Sequence, residues 1–285
     1  MTQFRAALVQ MRSHRTVEPN IAQADALIRE AAAQGAVYIQ TPENTNILEP
    51  DAARLFAALS DEATDPTLKH LRALAKELGI WLHIGSLAIK ETPTKAANRA
   101  FLIAPDGSIA TRYDKIHLFD VELANGESFR ESDRVRPGAD AVTYELPYGV
   151  LGFSICYDMR FPHLYRSLAQ VGGAEILTAP AAFTKTTGEA HWHVLLRARA
   201  IENGAWMLAA AQGGTHETGR QTYGHSIIID PWGRIVAEAG IDPCVIVADI
   251  DTAEVAKVRG RIPSLQHDRP YASPHALQPL RGAAE

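Results

Sequence analysis

A carboxylate, an ammonium group and a thiol each stand directly after a predicted strand of this chain. Glu43 closes a Thr-Pro-Glu segment, Lys115 lies in Tyr-Asp-Lys-Ile-His, and Cys156 ends an apolar run and opens Cys-Tyr-Asp. Open α/β sheets place their chemistry at the carboxyl ends of strands. The three side chains therefore predict a base, a cation and a nucleophile in one site. Each alone has a plainer interpretation, as a loop charge or, for the cysteine, as a small core residue.

Proton transfer from a thiol to a glutamate is uphill in water. A free thiol titrates near pH ~8.5 and a free glutamate near ~4.3, so the transfer costs about 6 kcal/mol. Burial is expected to raise the pKa of Glu43, and the ammonium of Lys115 to stabilise the thiolate of Cys156. The same ammonium can bind the oxyanion that forms on an attacked carbonyl. The trio is thus suited to nucleophilic attack on a carbonyl carbon.

Alternating strands and helices must position these residues. Apolar runs bounded by turn signals predict strands at 4–10, 36–40, 80–86, 98–104, 109–113, 141–146, 150–155, 174–178, 205–211, 225–230, 234–237 and 245–249. Helical periodicity predicts helices at 17–33, 66–79, 162–171 and 190–203, and 118–138 is loop-like. The mixture of βαβ-like units and hairpins indicates a mixed sheet in one α/β domain, residues 1–271, followed by a polar tail at 272–285.

The composition narrows the class of protein. The 285 residues are 46% hydrophobic and 21% charged, which is typical of a soluble globular chain. With 28 Lys+Arg against 33 Asp+Glu, the chain lacks the basic surplus that binding to nucleic acid or a membrane surface requires. No apolar run approaches the roughly 18 residues of a membrane span. The two cysteines and the absence of a secretory signal favour a cytoplasmic protein.

The three motifs, in this order and spacing, resemble the nitrilase superfamily of carbon–nitrogen hydrolases over residues 4–271. The resemblance implies an α-β-β-α sandwich and a Glu-Lys-Cys triad. Cys156 would be the nucleophile, Glu43 the general base and then acid, and Lys115 the residue that stabilises the tetrahedral intermediate. Members carry a second glutamate after the lysine, and Glu131 matches that position better than Glu127. No cofactor and no metal are expected.

The residues after the nucleophile resemble the Nit amidase branch rather than true nitrilases, and within it the Nit1 type. This resemblance implies hydrolysis of deaminated glutathione to 2-oxoglutarate and cysteinylglycine, a metabolite-repair reaction on a small-molecule amide. The alternatives are ω-amidase action on 2-oxoglutaramate, hydrolysis of an N-carbamoyl or other aliphatic amide, and a non-catalytic binding protein of the same fold. A homodimer or larger homo-oligomer is expected, with Leu164, Leu168 and Val171 as apolar contact residues.

Four residues are candidates for substrate binding. The backbone N–H of Tyr157 would complete the oxyanion site, and Phe183 and Thr187 would line the pocket. Arg160 has two interpretations: it could grip a substrate carboxylate in a bidentate manner. An internal ion pair that fixes the nucleophile turn is the interpretation that the sequence favours.

Two histidines depart from the family pattern. His163 and His193 stand where relatives have glutamate, so negative charge is lost beside the pocket or an interface. A metal site among the eleven histidines of the chain is not expected. His191 and His193 are two residues apart on a predicted helix and therefore point to different faces.

Overall fold

The computed structural model describes residues 2–123, 126 and 128–272. Its helices are α1 (Val17–Ala33), α2 (Ala52–Ala58), α3 (Pro66–Leu78), α4 (Pro162–Gln170), α5 (Lys185–Asn203) and α6 (Ala253–Arg261). Its strands are β1 (Gln3–Gln10), β2 (Tyr38–Gln40), β3 (Trp81–Lys90), β4 (Ala96–Ile103), β5 (Ile109–Asp114), β6 (Asp120–Glu122), β7 (Ser128–Arg130), β8 (Thr143–Leu146), β9 (Gly149–Gly152), β10 (Ile176–Thr178), β11 (Trp206–Ala209), β12 (Gly213–Thr215), β13 (Gln221–Tyr223), β14 (Ile227–Ile229), β15 (Ile235–Glu238) and β16 (Cys244–Asp251). Within these residues, no helix is both long and apolar enough to cross a membrane.

Two six-stranded sheets form the centre of the molecule. The first has the order β16-β1-β2-β3-β4-β5, and the second has the order β15-β14-β11-β10-β9-β8. In each sheet the inner strands are parallel and the outer strands antiparallel. The predicted mixed topology is confirmed.

Strand alternation divides the core into layers. On β1, Phe4 and Leu8 pack against the second sheet, in the cluster that also holds Phe153 and Leu177. The intervening Ala7 and Val9 belong to a separate cluster with residues of α1 and α3. Neighbouring side chains on a strand point to opposite faces, so one strand can face a sheet and a helix layer. Because α4 and α5 pack on the second sheet, the predicted α-β-β-α sandwich is confirmed.

The helix that precedes β3 shows how local signals fix an element. The Asp65 carboxylate accepts a hydrogen bond of 2.8 Å from the backbone N–H of Leu68, and Pro66 occupies the first turn. Gly79 ends the helix with a φ of +66°, a conformation that glycine adopts without strain. Burial of Leu68, Leu71 and Leu74 fixes its apolar face on the first sheet.

Several short elements were not predicted, and the predicted start of one helix was wrong. Helices α2 and α6 and the short hairpins β6–β7 and β12–β13 were not predicted, because three-residue strands and helices of seven and nine residues leave little periodicity to detect. Helix α5 begins at Lys185, five residues before the predicted start, so Thr187 lies in its first turn. Of the predicted tail, residues 273–285 lie outside the described part of the chain.

Candidate active site

Three strand ends bring Glu43, Lys115 and Cys156 together between the sheets. Glu43 follows β2, Lys115 follows β5, and Cys156 opens the helical turn that comes after β9. All three are buried, with exposed fractions of 3%, 2% and 7%. Strand ends are rigid supports, which holds the three groups in fixed relation to one another.

Lys115 lies between two carboxylates. Its Nζ is 2.8 Å from Glu43 Oε1, 2.8 Å from Glu131 Oε2 and 3.1 Å from Glu131 Oε1. The backbone N–H of Phe119 donates to Glu131 Oε2 at 2.7 Å, and the N–H of Ala182 donates to Glu43 Oε2 at 2.7 Å. Both carboxylates are therefore oriented by groups besides the lysine. Glu127, the rejected alternative to Glu131, lies outside the described residues.

Asn98 is a site residue that the sequence did not reveal. Its Nδ2 donates to Glu43 Oε1 at 2.9 Å and to Glu131 Oε1 at 3.0 Å. The backbone N–H of Lys115 donates to the Asn98 carbonyl at 3.0 Å, so the amide and the lysine reach the same carboxylates from adjacent strands. Strand alternation was the available signal, because Asn98 is a buried polar residue on the face of β4 that it shares with Ala96, Ala100 and Leu102.

The nucleophile sits on a strained turn. Cys156 has a φ of +49°, unusual for a residue with a side chain, and its N–H donates to the Pro180 carbonyl at 2.9 Å. Asp158 holds this turn: one oxygen accepts from the N–H of Ile155 at 2.9 Å and from the Tyr113 hydroxyl at 2.6 Å. Its other oxygen contacts the backbone N–H of His117 at 2.9 Å and that residue's Nδ1 at 2.7 Å.

The charge states differ from those expected. Burial alone would raise the pKa of Glu43, but the charge of Lys115 and the hydrogen bonds to the carboxylate outweigh it, so the pKa is lowered. Burial and the nearby Glu43 carboxylate raise the pKa of the Cys156 thiol well above its usual value, against the opposing effect of Lys115. The expectation of a raised Glu43 pKa was wrong, whereas Lys115 does favour the thiolate as expected, although burial and the Glu43 carboxylate outweigh it. A site that already holds two carboxylates and one ammonium disfavours another negative charge.

The pKa of Lys115 is raised well above its usual value. Burial acts in the opposite direction, but the charges of Glu131 and Glu43 prevail. The resting cluster therefore consists of a neutral thiol, an ammonium and ionised Glu43. Proton transfer to Glu43 must accompany sulfur attack rather than precede it, since a free thiolate is costly here.

A cavity of about 590 Å³ opens beside these groups. Of the predicted binding residues, Tyr157, Phe183 and Thr187 line it, together with Phe119 and Phe129. The aromatic rings add apolar surface to a cavity that the charged cluster also lines. This size and character suit a small organic molecule.

Arg160 does not line this cavity. Its guanidinium lies 5.8 Å from the Tyr157 ring centre and 5.4 Å from that of Phe183, and its Nη2 is 3.2 Å from His191 Nδ1. No carboxylate of the described residues pairs with it, so the favoured internal ion pair is wrong. Asp158 fixes the nucleophile turn instead. Arg160 holds the two aromatic rings that border the cavity.

The two unusual histidines lie outside the cavity. His193 Nε2 and His225 Nδ1 each lie 2.8 Å from Glu238 Oε1, so Glu238 supplies a negative charge beside the position where His193 replaces glutamate. This His-His-Glu group has a composition that metal ions accept, and sequence inspection of His191 and His193 missed it. His163 packs edge-on against His117.

Comparison with known proteins agrees with this geometry. The chain is 42% identical to a deaminated glutathione amidase of Synechocystis sp. over 94% of this chain and 98% of the relative. It is 38% identical to a deaminated glutathione amidase of Yersinia enterocolitica, over 94% of each, and 36% identical to the human omega-amidase NIT2, over 94% of this chain and 96% of the relative.

Solved structures share the fold. The crystal structure of the C. elegans NitFhit protein matches with a TM-score of 0.88 and 36% identity, over 94% of this chain and 66% of that one. A mutant amidase from Nesterenkonia sp. AN1, with the acetamide moiety of fluoroacetamide added covalently at its active-site cysteine, matches with a TM-score of 0.78 and 28% identity over 93% of this chain and 94% of that one. The family model of carbon–nitrogen hydrolases matches residues 5–260. The chain therefore belongs to the carbon–nitrogen hydrolase family.

Proposed function

We propose that this hydrolase cleaves the amide bond of deaminated glutathione through a thioester on Cys156. The observation that carries the proposal is the buried Glu43–Lys115–Cys156 contact at the wall of a cavity that fits a small amide. The relatives named deaminated glutathione amidase, at 38% and 42% identity, support this substrate.

The first half of the reaction forms the thioester. The Cys156 sulfur attacks the amide carbon while Glu43 takes the thiol proton. Lys115 and the backbone N–H of Tyr157 donate to the oxyanion. The C–N bond then breaks, and Glu43 returns the proton to the leaving nitrogen, which departs as the amine of cysteinylglycine.

Hydrolysis of the thioester completes the cycle. Glu43 takes a proton from water as the water oxygen attacks the thioester carbon. The C–S bond breaks, the sulfur regains a proton from Glu43, and 2-oxoglutarate leaves. Glu131 and Asn98 hold Lys115 and Glu43 in place through the hydrogen bonds described above, and they act as positioning residues.

Side-by-side kinetics test the substrate. We expect kcat/KM for deaminated glutathione to exceed that for 2-oxoglutaramate, with cysteinylglycine as the released amine. Cys156→Ala should remove all hydrolysis while leaving the circular dichroism spectrum unchanged. A preference for 2-oxoglutaramate would assign the chain to the ω-amidases, which the 36% identical human relative also represents. A folded wild-type protein that hydrolyses neither substrate nor any N-carbamoyl or aliphatic amide would identify a binding protein instead.

We also propose that the chain forms a homodimer through the outer face of α5. Val194 and Ile201 lie two turns apart on that helix and are 69% and 52% exposed, and Val171 at the end of α4 is 84% exposed. Leu164 and Leu168, expected at the interface, are buried in the core instead. Light scattering should give twice the chain mass for wild type and a monomer for Val194→Glu; a wild-type monomer would reject the proposal.

A cytoplasmic location is proposed on the chemistry of the thiol. Cys156 reacts only when reduced, and both cysteines of the chain are free. Fractionation of the source cells should recover the activity with cytoplasmic markers, and recovery with secreted or membrane markers would contradict this.

A further inference from the structure

An arginine on the β12–β13 hairpin faces the cavity without a charged partner. Arg220 lines the cavity, and its Nη2 donates to the Ala182 carbonyl at 2.9 Å. Its Nε is buried and has no hydrogen-bond partner in the described structure. The guanidinium lies 5.5 Å from the centre of the Phe129 ring, another residue of the cavity wall. A buried, unpaired N–H is costly, so an arginine held this way needs an explanation.

The charges around the cavity make Arg220 stand out. Lys115 is paired with Glu43 and Glu131, and Arg130 is 2.6 Å from Glu122. Glu49, another charged residue of the wall, is 2.7 Å from Arg15. Two other arginines of the wall, Arg134 and Arg220, have no carboxylate within 4.0 Å among the described residues. Arg134 Nη1 donates to the Pro50 carbonyl at 2.6 Å, whereas Arg220 has a buried N–H without a hydrogen-bond partner. Its positive charge is therefore available to a molecule in the cavity.

The hydrogen-bond chain links this charge to the reacting centre. Ala182 accepts from Arg220 through its carbonyl, and its N–H donates to Glu43 Oε2. Ala182 alone therefore links the Arg220 guanidinium to the Glu43 carboxylate. A carboxylate bound by Arg220 would place the rest of a short molecule beside Cys156, which lines the same cavity.

We propose that Arg220 forms a carboxylate-binding subsite that holds the substrate for attack by Cys156. Guanidinium donors match carboxylate oxygens in geometry and charge, and the bound carboxylate would satisfy the unpaired Nε. The inference rests on the proposed function, and it specifies an anionic amide as the substrate class. Two carboxylates are candidates: the 2-oxo acid group that deaminated glutathione and 2-oxoglutaramate share, and the glycine carboxylate that only deaminated glutathione carries.

Steady-state kinetics of Arg220→Gln test the subsite. We expect KM to rise roughly 10- to 100-fold with a much smaller change in kcat, as for loss of one charged hydrogen-bonding group. A rise for both substrates assigns Arg220 to the 2-oxo acid group, and a rise for deaminated glutathione alone assigns it to the glycine carboxylate. Unchanged KM for both substrates would overturn the proposal. Arg220→Lys should restore part of the loss.

A matched control separates binding from support of the hairpin. Arg72 Nε donates to the Gly107 carbonyl at 2.9 Å, so it also supports a hairpin, away from the cavity. Arg72→Gln should leave KM unchanged. The rate at which uncharged iodoacetamide alkylates Cys156 should be the same in wild type and Arg220→Gln. A large fall in that rate would indicate a distorted cavity and contradict a role confined to charge recognition.

Direct binding distinguishes failure of the subsite from failure of the proposed function. Calorimetry on Cys156→Ala protein should detect 2-oxoglutarate binding that weakens roughly 10- to 100-fold in the double variant with Arg220→Gln. That result would support the subsite even if wild type cleaved neither amide. Equal affinity in the two proteins would exclude Arg220 as the ligand of the 2-oxo acid, and with unchanged KM for deaminated glutathione it would end the proposal.

Discussion

Two charge clusters share the same pair of strand ends but lie on opposite faces. Asn98 and Lys115 point into the catalytic cluster, which we define as Glu43, Lys115, Glu131 and Cys156. Their neighbours Arg99 and Asp114 point away from it and pair with each other at 2.6 Å. Alternation along β4 and β5 produces this division. On each strand, adjacent residues therefore have different roles: Asn98 and Lys115 belong to the site, whereas Arg99 and Asp114 stabilise the edge of the sheet.

The outward-facing cluster is electrically balanced. This ion-pair network consists of three arginines and three acids: Arg99, Arg112, Arg136, Glu62, Glu91 and Asp114. Arg99 alone contacts all three acids, at 2.6 to 3.0 Å. Nearby acids raise the pKa of Arg99, chiefly through the hydrogen bond that Arg99 donates to Asp114.

The catalytic cluster has one ammonium for two carboxylates and a thiol. Burial is the largest cause of the raised pKa of Cys156, and the nearby negative charge adds to it, so the thiol rests neutral. Balanced charges stabilise the sheet edge, whereas burial together with an excess of negative charge keeps the nucleophile protonated until a substrate arrives.

Loss of Lys115 should have the largest effect. Lys115→Ala should lower kcat by about 10³-fold or more, because the oxyanion loses a charged donor and two buried carboxylates lose their counter-charge. Discontinuous assays with deaminated glutathione would measure kcat, and chemical denaturation would measure the accompanying loss of stability. If kcat stayed at the wild-type level, the lysine would have no part in the reaction.

Glu131→Gln should have the next largest effect. The amide can still accept from the N–H of Phe119, but the ion pair that helps to position Lys115 is lost, so we expect kcat to fall about 10- to 100-fold. Removal of this negative charge should also lower the pKa of Cys156, since Glu131 contributes to raising it. The pH dependence of iodoacetamide alkylation measures that shift. A pKa that rises instead would contradict the proposed electrostatics.

Arg99→Gln should affect stability more than catalysis, unlike Lys115→Ala and Glu131→Gln. The free energy of unfolding should fall by about 1–3 kcal/mol, because three acids lose a shared partner that is only 17% exposed. The values of kcat and KM should stay within about threefold of wild type, since Arg99 faces away from the cavity. Urea denaturation and steady-state kinetics on one preparation check both. A fall in kcat as large as that of Glu131→Gln would remove the distinction between the two faces.

The sequence predicted what depends on pattern. Strand ends located Glu43, Lys115 and Cys156, and alternation of strands and helices predicted the layered fold. Glu131 required a family resemblance, because a loop acid carries no periodic signal. Asn98 escaped notice because its side-chain partners are 33 and 55 residues away. Asp158 belongs to the Cys-Tyr-Asp motif, but its role was missed because Tyr113 and His117 are 45 and 41 residues away.

Charge states could not be read from the sequence for a similar reason. The pKa of Glu43 depends on the balance between its burial and its hydrogen bonds from Lys115 and Ala182. These effects oppose one another, and only the folded geometry decides the sign. The predicted ion pair of Arg160 was wrong for the same reason, because the sequence does not show which groups an arginine contacts.

The smallest effect expected concerns a buried base that belongs to neither cluster. His83 is fully buried, with Nδ1 2.9 Å from the Tyr38 hydroxyl, and burial lowers its pKa to about 3. Above pH ~6.5 the residue is neutral in both folded and unfolded chains and adds no pH dependence. Below that pH the unfolded chain binds a proton that the folded chain refuses, so stability falls by about 1.4 kcal/mol per pH unit.

The glutamates of the two charge clusters whose pKa values are lowered should add no pH dependence to the stability in this range. The pKa values of Glu43, Glu62 and Glu91 are lowered, so their stabilising contributions are lost only as the pH falls through those depressed values, below that of an ordinary glutamate. Urea denaturation between pH 6.5 and 5 should therefore give a smaller pH slope for His83→Gln than for wild type, while Arg99→Gln keeps the wild-type slope. A changed slope in Arg99→Gln would mean that the network titrates near neutrality, and its balance would no longer set it apart from the catalytic cluster.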